Sequence, residues 1–88
     1  MPLSRKHQAT LEAIFADPVR PGIAWRDIEA MLSACGAEIT EGQGSRVRIA
    51  LNGVRSVFHR PHPQKETDKV AVKSMRRFLL QAEIRPCA

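Results

Sequence analysis

Ser45-Arg-Val-Arg-Ile-Ala-Leu-Asn-Gly-Val-Arg-Ser-Val-Phe-His59 is the stretch that decides the fold. Val47, Ile49 and Leu51 alternate with Arg46 and Arg48, the period of two expected of a strand with one buried face. Asn52-Gly53 follows, and both residues tolerate the positive φ of a type I′ turn, which makes this the strongest short hairpin signal a sequence offers. Val54–His59 is then the returning strand. A two-residue loop fixes the pairing. Leu51 faces Val54, Ile49 faces Ser56 and Val47 faces Phe58 on the side to be covered. Ala50 meets Arg55, Arg48 meets Val57 and Arg46 meets His59 on the other. Slipping by one residue would drive the arginines into the core, so the register is well determined.

Upstream of the hairpin, 37–41 alternates as a short strand, and Gly42-Gln43-Gly44 turns the chain. Before it Trp25, Ile28, Met31, Leu32 and Cys35 form one apolar helical stripe, with Gly36 at the left-handed position that ends many helices. A first helix is expected over about 5–16, capped by Ser4, with Leu11, Ile14 and Phe15 on its inner face. Asp17-Pro18 stops it, and 18–22 reads as a linker. Downstream, a helix is expected over about 69–84, capped by Thr67 or Asp68. Its apolar face is Ala71, Met75, Phe78, Leu79 and Ala82, and Lys69, Lys73, Arg76 and Arg77 lie away from that face. The order α-α-β-β-β-α predicts a single α+β domain, an antiparallel sheet with helices packed on one side.

The 88 residues leave little core to spare, so each buried aliphatic matters. No apolar run approaches the roughly 18 residues of a membrane span and no signal-peptide pattern is present, so the expected compartment is the cytoplasm. Two cysteines, Cys35 and Cys87, do not suggest a disulfide framework. The formal charge of +5 is unevenly divided. Residues 1–43 hold four basic and six acidic side chains, whereas 44–88 hold ten basic and three acidic. A polyanionic partner is expected for the second half.

The register sets Arg46, Arg48, Arg55 and His59 on one solvent face, a surface suited to phosphate. RNA carries its own nucleophile in the 2′-hydroxyl. An imidazole at His59 to take its proton and guanidiniums to hold the phosphate would suffice for cleavage without metal. The bland alternative is a surface histidine with no chemistry. His59 and His62 lie three residues apart, but no carboxylate or cysteine stands at ligand spacing and the flanking prolines extend the chain, so no metal or other cofactor is expected. Phosphate loops and nucleophile elbows are missing, and three Phe, one Trp and no Tyr make no stacking platform.

From Trp25 through Ile84 the chain resembles the HicA family of toxin–antitoxin toxins, small mRNA endoribonucleases with a fold like the double-stranded-RNA-binding domain. The resemblance rests on the helix ending in Cys35-Gly36-Ala37, on Gly44-Ser45 opening the second strand, and on Pro61-His62-Pro63 with Lys65. A closing basic helix ending in Leu80-Gln81-Ala82-Glu83-Ile84 completes the set. It implies a metal-independent nuclease, a hydrolase of mRNA, neutralised by a HicB-like antitoxin that covers the basic sheet face. Residues 4–16 fall outside it as a helical extension of the 25–84 core. In the family Gly-Ser is followed by the histidine taken to be catalytic, and here that position is Arg46, whose guanidinium does not give up its proton. His59, opposite Arg46, would deliver an imidazole to nearly the same place. Arg48, Arg55 and Arg60 would hold phosphates, with His62, Lys65, Lys69 and Lys73 extending the track. A non-catalytic RNA- or partner-binding module is the alternative. A DNA-binding adaptor using the last helix is a weaker one, because that helix is poor in the Asn and Gln that read bases.

Overall fold

The computed structural model describes residues 3–61 and 65–86. In chain order the elements are α1 (Arg5–Ile14), β1 (Ile23–Ala24), α2 (Trp25–Ala34), β2 (Glu38–Glu41), β3 (Arg46–Leu51), β4 (Val54–His59), β5 (Glu66–Thr67) and α3 (Lys69–Gln81). The principal sheet is antiparallel in the order β2-β3-β4. All six hairpin pairs, from Arg46 with His59 to Leu51 with Val54, have the register that a two-residue turn dictates. Asn52 at φ 51° and Gly53 at φ 81° supply that turn.

Val47, Ile49, Leu51 and Phe58 from the inner face of the sheet are buried against all three helices. α1 and α2 add Leu11, Ile14, Trp25, Ile28, Met31 and Leu32, and α3 adds Val72, Met75, Phe78 and Leu79, with Ala82 just beyond its end. Phe58 joins the helices through its ring, lying 6.0 Å from Trp25 and 5.8 Å, edge to face, from Phe78. The α3 stripe begins at Val72, which is fully buried, whereas Ala71, expected on that face, is only half-buried. Cys35 is half-buried, and burial pushes its thiol pKa up.

Several helix ends have a visible cause. Ser4 accepts the His7 N–H at the start of α1, and Asp68 accepts the Ala71 N–H at 2.7 Å to cap α3. Thr67 is not the cap. It lies in β5 opposite Ile23 and is 2% exposed. Gly36, at φ 96°, closes α2 as a Schellman motif, with Ala37 N–H bonded to Leu32 C=O and Gly36 N–H to Ser33 C=O.

α3 ends at Gln81, short of the expected Ile84, through the same motif built without glycine. Glu83 takes φ 62°, Ile84 N–H bonds Leu79 C=O at 2.8 Å, and the Ile84 side chain packs against the core. No glycine marks this stop.

Two short segments outside the expected elements carry structure. Ile23–Ala24 pairs with Glu66–Thr67 as a two-stranded ribbon, and Trp25 N–H bonds Lys65 C=O at 3.0 Å. Two residues per strand are too few to show as periodicity. The Arg76 guanidinium does not face solvent as a phosphate donor would. It donates to Ile14 C=O at 3.0 Å and Ala16 C=O at 2.8 Å, closing the last turn of α1. Asn52 Nδ2 donates to Ala82 C=O at 2.8 Å, so the hairpin tip also caps α3.

Relief of the left-handed strain at Glu83 gives a direct check. Glu83→Gly is expected to raise the unfolding free energy by about 0.5–1 kcal/mol, because glycine takes that conformation without a Cβ clash. Urea denaturation of the two proteins measures it.

Candidate nucleic-acid interface

The inner apolar residues of β3 and β4 leave their alternate neighbours outside. Arg46, Arg48, Arg55 and His59 are all exposed on the outer face of the sheet. Arg46 and His59 are direct cross-strand partners of the non-hydrogen-bonded kind, in which side chains stand closest. Arg48 lies opposite Val57 and is therefore diagonal to both Arg55 and His59, roughly 7–8 Å away along the backbone. None of the three arginines makes an ion pair among the described residues, so their donors remain available to a ligand.

Arg60 departs from this pattern. Its guanidinium donates to both oxygens of Glu41, at 2.6 and 2.7 Å, and to both oxygens of Glu29, at 2.7 and 3.1 Å. Glu29 also accepts the Trp25 indole N–H. These hydrogen bonds, Glu29 first and Glu41 second, raise the Arg60 pKa further above the ordinary guanidinium value. The Arg60 hydrogen bond also holds the Glu41 carboxyl below its ordinary value. Arg60 thus ties the end of β2 to α2, and its backbone N–H bonds Ser45 C=O at 2.8 Å. It braces the sheet end that carries Arg46 and His59, and its donors are spoken for.

The lysines stand elsewhere. Lys69 and Lys73 are exposed one turn apart on α3, in the helical layer, and Lys65 is exposed just before β5. They do not share the outer sheet face with the arginines. His62, and Cys87 in the C-terminal tail, lie outside the described residues. Arg77, expected only to lie away from the apolar face of α3, is not among the expected site residues. It lines the groove between α3 and β4 together with His59. Its only signal was the four-residue step from Lys73.

A three-stranded antiparallel sheet, helices on one face and unpaired arginines on the other define a small α+β protein with a cationic sheet surface. The family model described as HicA toxin of bacterial toxin-antitoxin matches residues 25–84. The chain belongs to that family and is the toxin of a toxin–antitoxin system, which implies an antitoxin partner. No curated protein and no solved structure matches it. α1 lies outside the matched residues, yet it buries Leu11 and Ile14 in the common core. No helix among the described residues is long and apolar enough to cross a membrane.

The Arg60 brace is testable by stability. Glu29→Ala strands part of the guanidinium and the buried indole N–H, and is expected to cost about 1–2 kcal/mol in urea denaturation. Glu41 supplies a pH signature. Its lowered pKa in the folded state means that its stabilising effect is present above the unfolded carboxylate value and is lost as pH falls through the folded one. In acid titrations monitored by thermal unfolding, Glu41→Gln should be less stable than wild type at neutral pH. That difference should close as the pH falls below the ordinary carboxylate range.

Proposed function

We propose that the protein is a metal-independent endoribonuclease that cleaves mRNA and is neutralised by a HicB-like antitoxin. The observation that supports this most directly is the Arg46–His59 cross-strand pair, flanked diagonally by Arg48 and with Arg55 beyond it, all free of carboxylate partners. Arg46, Arg48 and Arg55 hold the phosphodiester and offset the charge that builds on its oxygens. His59 takes the proton of the 2′-hydroxyl. The 2′-oxygen then bonds to the adjacent phosphorus and the bond to the 5′-oxygen breaks. The 5′-oxygen leaves with a proton from solvent, giving a 2′,3′-cyclic phosphate and a free 5′-hydroxyl.

Lys65, Lys69 and Lys73 extend the electrostatic footprint beyond the sheet face and contribute salt-sensitive affinity. Arg60 supports the site by holding the sheet end. Arg46, at the position where the family carries its histidine, favours a second reading, an RNA- or partner-binding module that uses the same surface without cleaving.

Incubation of labelled RNA with the protein in EDTA separates the two. Wild type is expected to produce cut ends, His59→Ala to lose them by a factor of about 100 or more, and Arg46→Ala to weaken both binding and cleavage. Cleavage unchanged in both variants would rule out this site. Binding without cleavage by wild type would establish the module.

A further inference from the structure

β4 ends its sheet, and its outer edge has no strand partner among the described residues. The register decides which backbone groups that edge offers. In a two-residue hairpin Leu51 and Val54 exchange both backbone bonds, so the bonded pairs recur at Ile49 with Ser56 and Val47 with Phe58. The Arg60 N–H to Ser45 C=O bond continues the series. Arg55, Val57 and His59 therefore point their N–H and C=O groups away from β3, along the free edge.

Sheet edges are commonly blunted by proline, lysine or a bulge, but β4 has none of these across six residues in unbroken register. Helix α3 runs alongside and leaves a groove of about 420 Å³ between itself and the edge. Val57 and Val70, exposed by 54% and 75%, face into it with Ser74 and Arg77. Asp68 also lines it, with one carboxylate oxygen accepting the Ala71 N–H of the helix cap. A sheet edge beside a helix is the geometry by which extended peptides add as an extra strand.

Charge and hydrogen bonding choose the occupant. The edge alternates donors with carbonyl acceptors, and phosphate oxygens, which only accept, would meet repulsion at every carbonyl. A second copy paired through β4 would set two arginine-rich faces edge to edge. An extended protein segment offers its own N–H and C=O groups. If it alternates acidic and apolar side chains, its acidic face lies beside Arg55 and His59 on the outer side of the sheet and its apolar face turns towards Val70 on α3.

We propose that the β4 edge and the α3 groove receive an extended acidic–apolar segment of the antitoxin as a fourth strand. This rests on the toxin–antitoxin part of the functional reading and not on cleavage. Such a strand would lie against Arg55 and His59, and so would shut the proposed site by bonding to the backbone of the edge and pairing its acidic side chains with Arg55.

The full chain, labelled with ¹⁵N, would be titrated with a synthetic peptide of about ten residues alternating Glu and Val, a usual strand length or longer. The same peptide N-methylated throughout its backbone is the control. The expected result is that the Arg55, Val57 and His59 amides shift and slow in hydrogen exchange while the Ser56 and Phe58 amides are already protected. The methylated peptide should bind about tenfold more weakly or worse. Failure of the Glu-Val peptide to bind overturns the proposal, as does equal binding of the two peptides, which would mean charge alone. The same amide pattern produced by oligouridylate, or by concentrating the free protein, assigns the edge to RNA or to a second copy and also overturns it. None of these outcomes depends on whether the protein cuts RNA, so the two proposals fail separately.

Discussion

The type I′ turn at Asn52-Gly53 is the constraint on which the other features hang. It locks Leu51 against Val54 and, through the period of two, commits every residue back to Arg46 and forward to His59 to one side of the sheet. The inward set, Val47, Ile49, Leu51 and Phe58, is what the three helices cover. The same alternation leaves Arg46, Arg48, Arg55 and His59 in the outward set. Core and interface are two faces of one register, and neither can be altered by a slip without destroying the other. The Asn52 side chain adds a second restraint, since its amide reaches the last turn of α3. Aspartate would suit the turn equally well but has no donor for that carbonyl.

Three polar ties then fix how the layers meet. Asn52 holds the hairpin tip to α3, Arg76 holds α3 to α1, and Arg60 holds the opposite end of the sheet to α2. Each satisfies backbone or carboxylate groups that a thin core cannot shelter. Two of the ten basic residues in the second half are consumed this way. Net charge therefore overstates the surface available to a polyanion. The arginines that remain unpaired on the sheet are those whose neighbours across the strands are Thr40, Ala50, Val57 or His59 and never an acid.

This distribution gives the outer face two distinct recognition chemistries. Its centre presents guanidiniums to anything anionic, whereas its β4 margin presents ordered backbone groups that only another extended chain satisfies in full. In the proposed reading RNA takes the guanidinium centre and the antitoxin the β4 margin, and the two overlap at Arg55 and His59.

What the sequence by itself determined is what depends on near neighbours. The period of two, the Asn-Gly turn and Gly36 specify local geometry, and from them follow the strand register, the helices and the Arg46–His59 pairing, whereas the choice of Asp68 over Thr67 as the α3 cap falls to the structure. Cys35 and the stripe of α2 needed only a period of 3.6. The tertiary structure decided the rest, because it turns on contacts between residues distant in the chain. Arg60 and Arg76 look like any other exposed cation until Glu29 and Glu41, or the end of α1, come to meet them. The two-residue ribbon of Ile23–Ala24 with Glu66–Thr67 has no periodicity to display, and the left-handed turn at Glu83 accompanies a core contact of Ile84 that no local pattern announces. Ionic and carbonyl partners are chosen by where the fold brings them, and a one-dimensional pattern records a side chain's charge but not the company it will keep.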